Sequence, residues 1–197
     1  MTQIEKPTLA IIVPCYNEQE VLPQTSIRLF DKLQKLISDN IISEKSKITF
    51  VDDGSVDNTW GLIEKYYEEN PRNFAGIKLS KNKGHQNALL CGLLTMNDFV
   101  DVTISIDADL QDDIEIIEEM LKNYRNGCEI VYGVRSNRET DSLFKKLTAQ
   151  GFYRFMRLLG VDIVYNHADF RLMGKNAILA LAEYQEVNLF LRGIIPM

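Results

Sequence analysis

The chain alternates short apolar runs with amphipathic segments, and this rhythm constrains the fold more than any other feature of the sequence. Runs typical of strands cover residues 9–13, 47–52, 74–79, 101–107 and 129–134. Between them, apolar residues recur every three or four positions over 18–37 and 113–125, as they do in helices. This alternation predicts an α/β fold with a mostly parallel sheet flanked by helices. A chain of 197 residues suits a single domain of that kind.

Composition excludes several classes of protein. Hydrophobic residues make up 45% of the chain, which is enough for a buried core and argues against disorder. The longest apolar runs fall far short of the ~20 residues of a membrane span, and the amino terminus lacks a basic start followed by an apolar stretch. The chain as given is therefore expected to be soluble and cytosolic. Cys15, Cys91 and Cys128 lie far apart without a CxxC spacing, which favours buried free thiols over disulfides or a zinc site.

Charge is distributed unevenly along the chain. Residues 1–134 carry 13 basic and 22 acidic side chains, a net charge of −9, whereas residues 135–197 carry 9 basic and 6 acidic side chains, a net charge of +3. The acidic part is suited to holding a cation, and the basic part to meeting an anion.

Each of the first four predicted strands ends in a cluster of polar residues, and ligands bind at that end of a parallel sheet. The run DVTISIDADLQDD, residues 101–113, closes an apolar strand with four aspartates and no basic residue. If the segment stays extended, Asp107, Asp109 and Gln111 project to one side. Two carboxylates and an amide oxygen suit a hard divalent cation such as Mg²⁺ or Mn²⁺. The sequence therefore predicts a divalent metal site.

Other acidic residues at these ends have different interpretations. Asp112 and Asp113 are expected to cap the helix that begins near Ile114. Asp52 and Asp53 end the second strand, where helix capping does not explain two adjacent carboxylates. One of the two is expected to face the cleft and to bind the donor groups of a nucleoside.

The loop SKNKGHQ follows the third strand and combines lysines with a glycine ahead of a helix. Lys81 and Lys83 lie beside Gly84, and the helical run begins at His85. A helix amino terminus in this setting is a candidate anion site, although surface lysines are commonly just solvated. His85 is interpreted as a residue of the binding loop and not as a catalyst.

Basic residues follow the fifth strand: Arg135, Arg138, Lys145, Lys146, Arg154 and Arg157. Arg135 and Arg138, in a loop beyond a strand end, are predicted to bind phosphate. The other four belong to a predicted helix over 143–159, where they form either a solvated face or, with neighbouring phenylalanines, a helix lying on a membrane surface. Farther on, Asp169 and Arg171 are placed to form a structural ion pair.

Seven motifs occur in one order and spacing: PCYNE, DDGSVD, NKGHQNA, DADLQDD, YGVRSNR, DFRLM and NLFLRG. Together they resemble the family 2 glycosyltransferases, and within them the branch that loads a sugar onto a polyprenyl phosphate, such as the bactoprenol glycosyltransferases and dolichyl-phosphate mannose synthase. The resemblance runs from about Leu9 to Pro196. It implies a single GT-A type α/β domain, an inverting mechanism, a UDP- or GDP-linked sugar donor and a Mg²⁺ or Mn²⁺ ion.

The resemblance also implies roles for individual residues. It implies that Pro14, Tyr16 and Glu18 line the nucleotide pocket, that Asp53 meets the base, that Asp107, Asp109 and Gln111 surround the metal and diphosphate, and that Asp169 and Arg171 lie on the acceptor side. With the residue-level predictions above, the nucleotide-sugar site is expected to comprise Pro14, Tyr16, Glu18, Asp53, Lys83, Asp107, Ala108 and Asp109, and the catalytic acceptor side Arg135, Arg138, Asp169 and Arg171. Residues 1–134 would form the nucleotide-sugar part, and residues 135–197 the acceptor part. Because a polyprenyl phosphate is already an anionic nucleophile at neutral pH, Asp169 is expected to orient an arginine and not to serve as an obligatory base.

The chain departs from the branch at three points. It has Ala168 where the branch often has glycine, and Asp113 where the branch often has proline, and neither change removes a functional group. The branch normally continues into membrane-spanning helices, whereas this chain ends at Met197, so we expect a shortened form of a membrane-attached enzyme. That enzyme would work at the cytoplasmic face of a bacterial membrane in cell wall or surface polysaccharide biosynthesis. A membrane surface is an expected partner, nucleic acid is not, and the sequence does not indicate an oligomeric state.

Several alternatives remain open at this point. A processive polysaccharide synthase shares PCYNE and DxD but normally adds a QxxRW-like motif, where this chain has only NLFLRG. A family 2 enzyme with a hydroxyl acceptor is also compatible with the motifs. A phospho-receiver domain carries a similar set of aspartates with Mg²⁺, but it needs about 120 residues and a lysine after its last strand. A DxD phosphatase would use its first aspartate as a nucleophile, and its further motifs are missing.

Overall fold

The computed structural model describes residues 6–134, 167–184 and 191–195 of the 197-residue chain. Its strands are β1 Leu9–Cys15, β2 Lys47–Asp52, β3 Phe74–Lys78, β4 Val102–Ser105, β5 Ile130–Val134 and β6 His167–Gly174. Its helices are α1 Leu22–Ser38, α2 Thr59–Glu69, α3 His85–Met96, α4 Ile117–Arg125, α5 Lys175–Ala182 and the short α6 Leu191–Ile194. A 3₁₀ turn, Ile114–Ile116, precedes α4.

The described strands form one sheet in the order β3-β2-β1-β4-β6-β5. β1 pairs in parallel with both β2 and β4, and β2 pairs in parallel with β3. β6 runs antiparallel to both of its neighbours, β4 and β5. The sheet is therefore mostly parallel, as the sequence predicts, with one reversed strand inserted near its edge.

β6 is the strand that the sequence analysis misses. Its residues, HADFRLMG, include no valine, isoleucine or threonine, so Phe170 is the one residue in it with a marked preference for strands. Its alternation is also ambiguous, because Asp169 and Arg171 interrupt the apolar residues as they would in a loop.

Apolar side chains on the two faces of the sheet form two cores. Alternate residues of β1 divide between them, Ile11 and Val13 on one face and Ala10 and Ile12 on the other. The first core is covered by α1, α2 and α4, and the second by α3, α5 and α6. Helices thus cover both faces, as in other sheets built mainly of parallel strands.

Some boundaries and environments differ from the sequence predictions. The strand predicted over 101–107 ends at Ser105, and a turn follows it. Asp113 caps the 3₁₀ turn as predicted, accepting a hydrogen bond from the backbone N–H of Glu115 at 3.0 Å. The expectation of three buried thiols is wrong, because Cys15 is buried but Cys128 is exposed.

Two further points concern the membrane and the basic segment. Among the described residues, no helix combines the length and the apolar character needed to cross a bilayer. Arg135, Arg138 and the helix predicted over 143–159 lie outside the described residues.

Candidate active site and metal centre

The reversed direction of β6 brings two carboxylates together beyond the end of β4. In the antiparallel register, Ile104 pairs with Leu172 and Ser105 pairs with Arg171. Continued by two residues, the same register sets Asp107 opposite Asp169. The alternation of side chains puts both carboxylates on the face that α3 covers, and α3 begins there with His85.

The three side chains form a compact cluster. His85 Nε2 lies 3.5 Å from Asp107 Oδ1 and 3.6 Å from Asp169 Oδ2. One potential ligand atom from each residue lies within 4.8 Å of the other two. Asp107 Oδ1 is buried and accepts no hydrogen bond from the described residues. An imidazole and two carboxylates are a donor set that fits a divalent cation, and the buried Asp107 Oδ1 is available as a ligand atom.

The cluster opens into a cavity of about 300 Å³ at the carboxyl ends of β1 and β4. The cavity is lined by Pro14, Glu18, His85, Asp107, Ala108, Asp109 and Asp169. Four of these residues carry carboxylates, and among the lining residues that the structure describes none has a lysine or arginine side chain. Binding an anion in this cavity would require a cation to reverse the sign of its charge.

The crowding of carboxylates affects their ionisation. Burial and the nearby charges of Asp109, Asp57 and Asp107 raise the pKa of Glu18. Burial also raises the pKa of Asp107. The charge of His85 works against this increase, and the charges of Asp169 and Asp109 add to it. Both shifts have the direction expected for carboxylates that are partly buried and close to other negative charges.

The DxD segment reaches the cavity by a route that the sequence analysis does not predict. The segment is not extended, because the backbone N–H of Leu110 donates to the carbonyl of Asp107 at 3.2 Å and Leu110 has a φ of 47°. The Thr25 hydroxyl on α1 donates to the carbonyl of Ala108 at 2.5 Å and holds the turn in place. Asp107 and Asp109 both line the cavity, whereas Gln111 is exposed and does not.

The other residues assigned to nucleotide-sugar binding are more dispersed. Pro14 and Glu18 line the cavity, while Tyr16 and Lys83 are exposed outside its lining. Both aspartates that end β2 are buried. The contact of Asp53 with a nucleotide base stays a prediction.

The predicted ion pair on β6 is confirmed. Arg171 Nη2 lies 2.5 Å from Asp169 Oδ1, and the Arg171 side chain is 1% exposed. Asp169 therefore connects the buried arginine on one side with His85 on the other. A contact of Arg171 with the acceptor stays a prediction.

His85 is the member of the cluster whose place the sequence analysis misses. The signal available is its position as the first helical residue after the loop SKNKG, at the carboxyl end of a strand. That position predicts a helix amino terminus at the edge of the sheet where ligands bind, but it does not reveal which carboxylates lie opposite His85.

Comparison with known proteins gives the family. The sequence profile described as Glycosyl transferase family 2 matches residues 10–181. The chain belongs to glycosyl transferase family 2. Its motifs therefore mark a glycosyltransferase, and the receiver-domain and phosphatase alternatives are wrong.

Two curated relatives are similar to this family 2 glycosyltransferase over nearly all of its sequence. It is 54% identical over 192 residues to the uncharacterized glycosyltransferase YkoT of Bacillus subtilis, covering 98% of this chain and 57% of that protein. It is 32% identical over 190 residues to the bactoprenol glucosyl transferase of Shigella phage SfX, covering 95% of this chain and 59% of that protein. The chain thus spans less than two thirds of the length of these relatives.

Solved structures support the fold. The mannosyltransferase PcManGT from Pyrobaculum calidifontis, solved in complex with GDP-Man and Mn²⁺, superposes with a TM-score of 0.62 at 17% sequence identity. The match covers 91% of this chain and 48% of that one. The family 2 glycosyltransferase therefore has a GT-A type fold, as the resemblance implies.

Proposed function

We propose that this chain is the donor-binding and catalytic part of an inverting, metal-dependent glycosyltransferase that moves a hexose from a UDP- or GDP-sugar to a polyprenyl phosphate. The observation that carries the proposal is the cluster of His85, Asp107 and Asp169 in an acidic cavity at the carboxyl ends of the strands. In an open α/β sheet this is where substrates bind.

The cavity and the cluster support the dependence on a metal. A donor diphosphate placed beside Glu18, Asp107 and Asp109 would face like charge. Asp107 and Asp109 would hold Mg²⁺ or Mn²⁺ together with His85, with Asp169 completing the cluster, and the cation would supply the positive charge that the diphosphate needs as a leaving group. The presence of Mn²⁺ and GDP-Man in the Pyrobaculum neighbour is consistent with this role.

The donor is expected to lie across the carboxyl ends of β1 and β4. Pro14, Glu18 and Ala108 line the cavity and would contact the nucleotide-sugar. Tyr16 and Lys83 are exposed on adjacent loops, where they would extend the contact to the nucleoside and phosphate groups. We assign residues 1–134 to this donor part and residues 135–197 to the acceptor part.

The acceptor follows from the named relatives and from its chemistry. The Shigella phage relative is named as a bactoprenol glucosyl transferase, and bactoprenol is a polyprenol. A phosphate monoester with a second pKa near ~6 is largely a dianion at neutral pH, so one of its oxygens can attack the anomeric carbon without a base. The new C–O bond forms as the bond to the nucleoside diphosphate breaks, and the anomeric configuration inverts. Arg135 and Arg138 would hold the acceptor phosphate.

Because its acceptor is a lipid, we place this enzyme at the cytoplasmic face of a membrane. A glycosylated polyprenyl phosphate would supply sugar to a cell wall or surface polysaccharide.

A transfer assay tests the proposal. The chain is incubated with UDP- and GDP-hexoses labelled in the sugar, with Mn²⁺, and with a short polyprenyl phosphate in detergent. We expect label to move into the organic phase, EDTA to abolish the transfer, and NMR to show the inverted anomer. Transfer to a sugar hydroxyl with none to the lipid phosphate would contradict the acceptor assignment, and transfer unaffected by EDTA would contradict the metal.

Asp169→Asn separates a phosphate acceptor from a hydroxyl acceptor. The variant should be less stable, because the buried Arg171 loses its charged partner, at a cost of about 3 kcal/mol or more. If the acceptor is a phosphate, the folded variant keeps measurable transfer because no base is needed. Complete loss of transfer in a variant that still folds and binds the donor would favour Asp169 as an obligatory base and a hydroxyl acceptor.

A further inference from the structure

Asp53 lies where the loops that follow β2 and β3 meet, and both of its carboxylate oxygens are engaged by the second loop. The backbone N–H of Lys83 donates to Oδ1 at 2.7 Å, and that of Gly84 donates to Oδ2 at 2.8 Å. The residue is 2% exposed. Its own backbone N–H donates to the carbonyl of Cys15 at 2.8 Å. Asp53 therefore ties the loop before α3 to the central strands of the sheet.

The glycines of the two loops tighten this connection. Gly54 has a φ of 69°, and a Cβ at this position would lie 2.5 Å from the carbonyl carbon of Lys81. The backbones therefore approach more closely than a side chain would allow. Gly84, immediately before α3, has a φ of 87°, a conformation that other residues rarely adopt. The path of the chain into α3 is thus constrained by a glycine in each of the two loops that meet at Asp53.

Asp53 also replaces a local helix cap. Within the described part of the chain, no side chain caps α3 at its amino terminus. The Asp53 carboxylate, supplied by a different strand, lies at this end and accepts the backbone N–H of Gly84, which precedes the helix, at 2.8 Å. The same N–H also lies 3.0 Å from Asn82 Oδ1, a longer contact to a neutral group. A negative charge at a helix amino terminus is favourable, and hydrogen bonds to a carboxylate are stronger than those between neutral groups.

We infer that Asp53 is a positioning residue for the metal centre, because it holds the start of α3 where the His85 imidazole meets Asp107 and Asp169. The path is short: His85 follows Gly84 directly, and its Nε2 lies 3.5 and 3.6 Å from the two carboxylates. The role rests on the proposed function, since it requires the cluster to bind a metal. It differs from the base contact that the resemblance implies, because it acts on metal affinity and not on the choice of nucleotide.

The test is Mn²⁺ binding to the nucleotide-free protein, measured by calorimetry or electron paramagnetic resonance. Asp53→Asn should weaken binding by about tenfold, as expected when a residue that orients a metal ligand is lost. His85→Ala should also weaken Mn²⁺ binding. The double variant should bind Mn²⁺ no more weakly than the single variant with the lower affinity, because both changes remove the same ligand.

Asp101→Asn is the matched control. Asp101 also accepts a backbone N–H with its carboxylate, from Thr8 at 2.8 Å, but it lies just before the amino end of β4, away from the cavity. Its loss should leave Mn²⁺ affinity unchanged. If Asp53→Asn does not fold, Gly84→Ala probes the same link, because no described atom lies within 4 Å of the added Cβ and the strain comes from the positive φ. That variant should likewise weaken Mn²⁺ binding.

Two results would overturn the inference, and they differ. If folded Asp53→Asn binds Mn²⁺ as the wild type does and only its preference between UDP and GDP changes, Asp53 is a base contact. If the wild type itself binds no Mn²⁺, the proposed metal centre fails and the positioning role fails with it.

Discussion

Asp109 shows at the scale of one residue how the site separates function from stability. Its side chain is exposed on the turn that lines the cavity, and its Oδ1 accepts one hydrogen bond, from the backbone N–H of Gln111 at 3.2 Å. An asparagine at this position keeps that acceptor and loses the charge. The fold therefore does not depend on the negative charge of Asp109, whereas the binding of a cation does.

We predict that Asp109→Asn weakens Mn²⁺-dependent binding of UDP or GDP by at least tenfold with no loss of folded structure. The reason is that the diphosphate and the aspartates repel each other unless a well-held cation lies between them. Calorimetry with and without Mn²⁺ measures the effect. Asp113→Asn, on the same loop but engaged in capping the 3₁₀ turn, is the control and should bind normally. Unchanged affinity in Asp109→Asn would remove Asp109 from the metal site.

Lys32 illustrates the scale of secondary-structure elements, because it links α1 to the 3₁₀ turn and α4. It is 3% exposed, and its Nζ lies 2.7 Å from Glu115 Oε2 and 3.0 Å from Glu118 Oε1. Burial opposes the charge of Lys32, but its hydrogen bonds to the two glutamates outweigh burial and raise its pKa. The same hydrogen bonds lower the pKa of Glu115 and of Glu118.

This link predicts a specific dependence of stability on pH. A glutamate whose pKa is lower in the folded state stabilises the fold above its unfolded pKa of about 4.3, and this stabilisation is lost as the pH falls through the folded value. Lys32→Met should therefore reduce the loss of unfolding free energy below about pH 4.3. Urea unfolding of both proteins between pH 3 and 7 measures how the unfolding free energy changes with pH. Lys35→Met is the control, because Lys35 is exposed and lies 3.7 Å from Glu118. An equal acid response in Lys32→Met and wild type would contradict the prediction.

The packing of α3 on the sheet provides a second prediction at this scale. A Cβ on Gly92 would lie 2.5 Å from Ile12 Cγ2 and 2.9 Å from Val51 Cγ2, both in the core. Overpacking destabilises a core by about 1–3 kcal/mol. This is partly offset because alanine is up to about 1 kcal/mol more favourable than glycine within a helix. Gly92→Ala should therefore lower the unfolding free energy by about 1–2 kcal/mol.

Denaturant unfolding of Gly61→Ala gives the comparison for that variant. The three atoms nearest to an added Cβ in α2 all belong to the Asn58 side chain, which can turn away, so the substitution should be neutral or stabilising. If Gly92→Ala is as stable as Gly61→Ala, α3 does not lie as close to the sheet as described.

Charge distribution matters at the scale of the whole molecule. The net charge of +3 over 135–197 predicts that this part meets the anionic surface where a polyprenyl phosphate resides. We expect the protein to sediment with vesicles containing anionic lipid at low salt, and to be released at high salt. Reversing the charge of Lys145 and Lys146 should reduce retention, and purely zwitterionic vesicles should retain little protein. Failure of anionic vesicles to retain the protein would remove the membrane-facing role of this segment.

The sequence by itself determined the alternation of elements, the acidic loops and the family. Five of the six described strands follow from apolar runs, and the helices α1 and α4 follow from their periodicity. Local patterns suffice for these features because periodicity reports which face of an element is apolar. Asp107 and Asp109 were also identified from the sequence, although by an extended geometry that is wrong, since a turn brings them to the cavity.

Only the tertiary structure decided which groups meet. β6 has no β-branched residue, and its place between β4 and β5 depends on pairing across a long stretch of the chain. Its antiparallel direction sets Asp169 opposite Asp107, and packing of α3 on the same face adds His85. No local pattern encodes strand order or direction, because they are fixed by hydrogen bonds and packing between distant segments. The sequence therefore supplied the carboxylates, and the fold assembled them with an imidazole into one site.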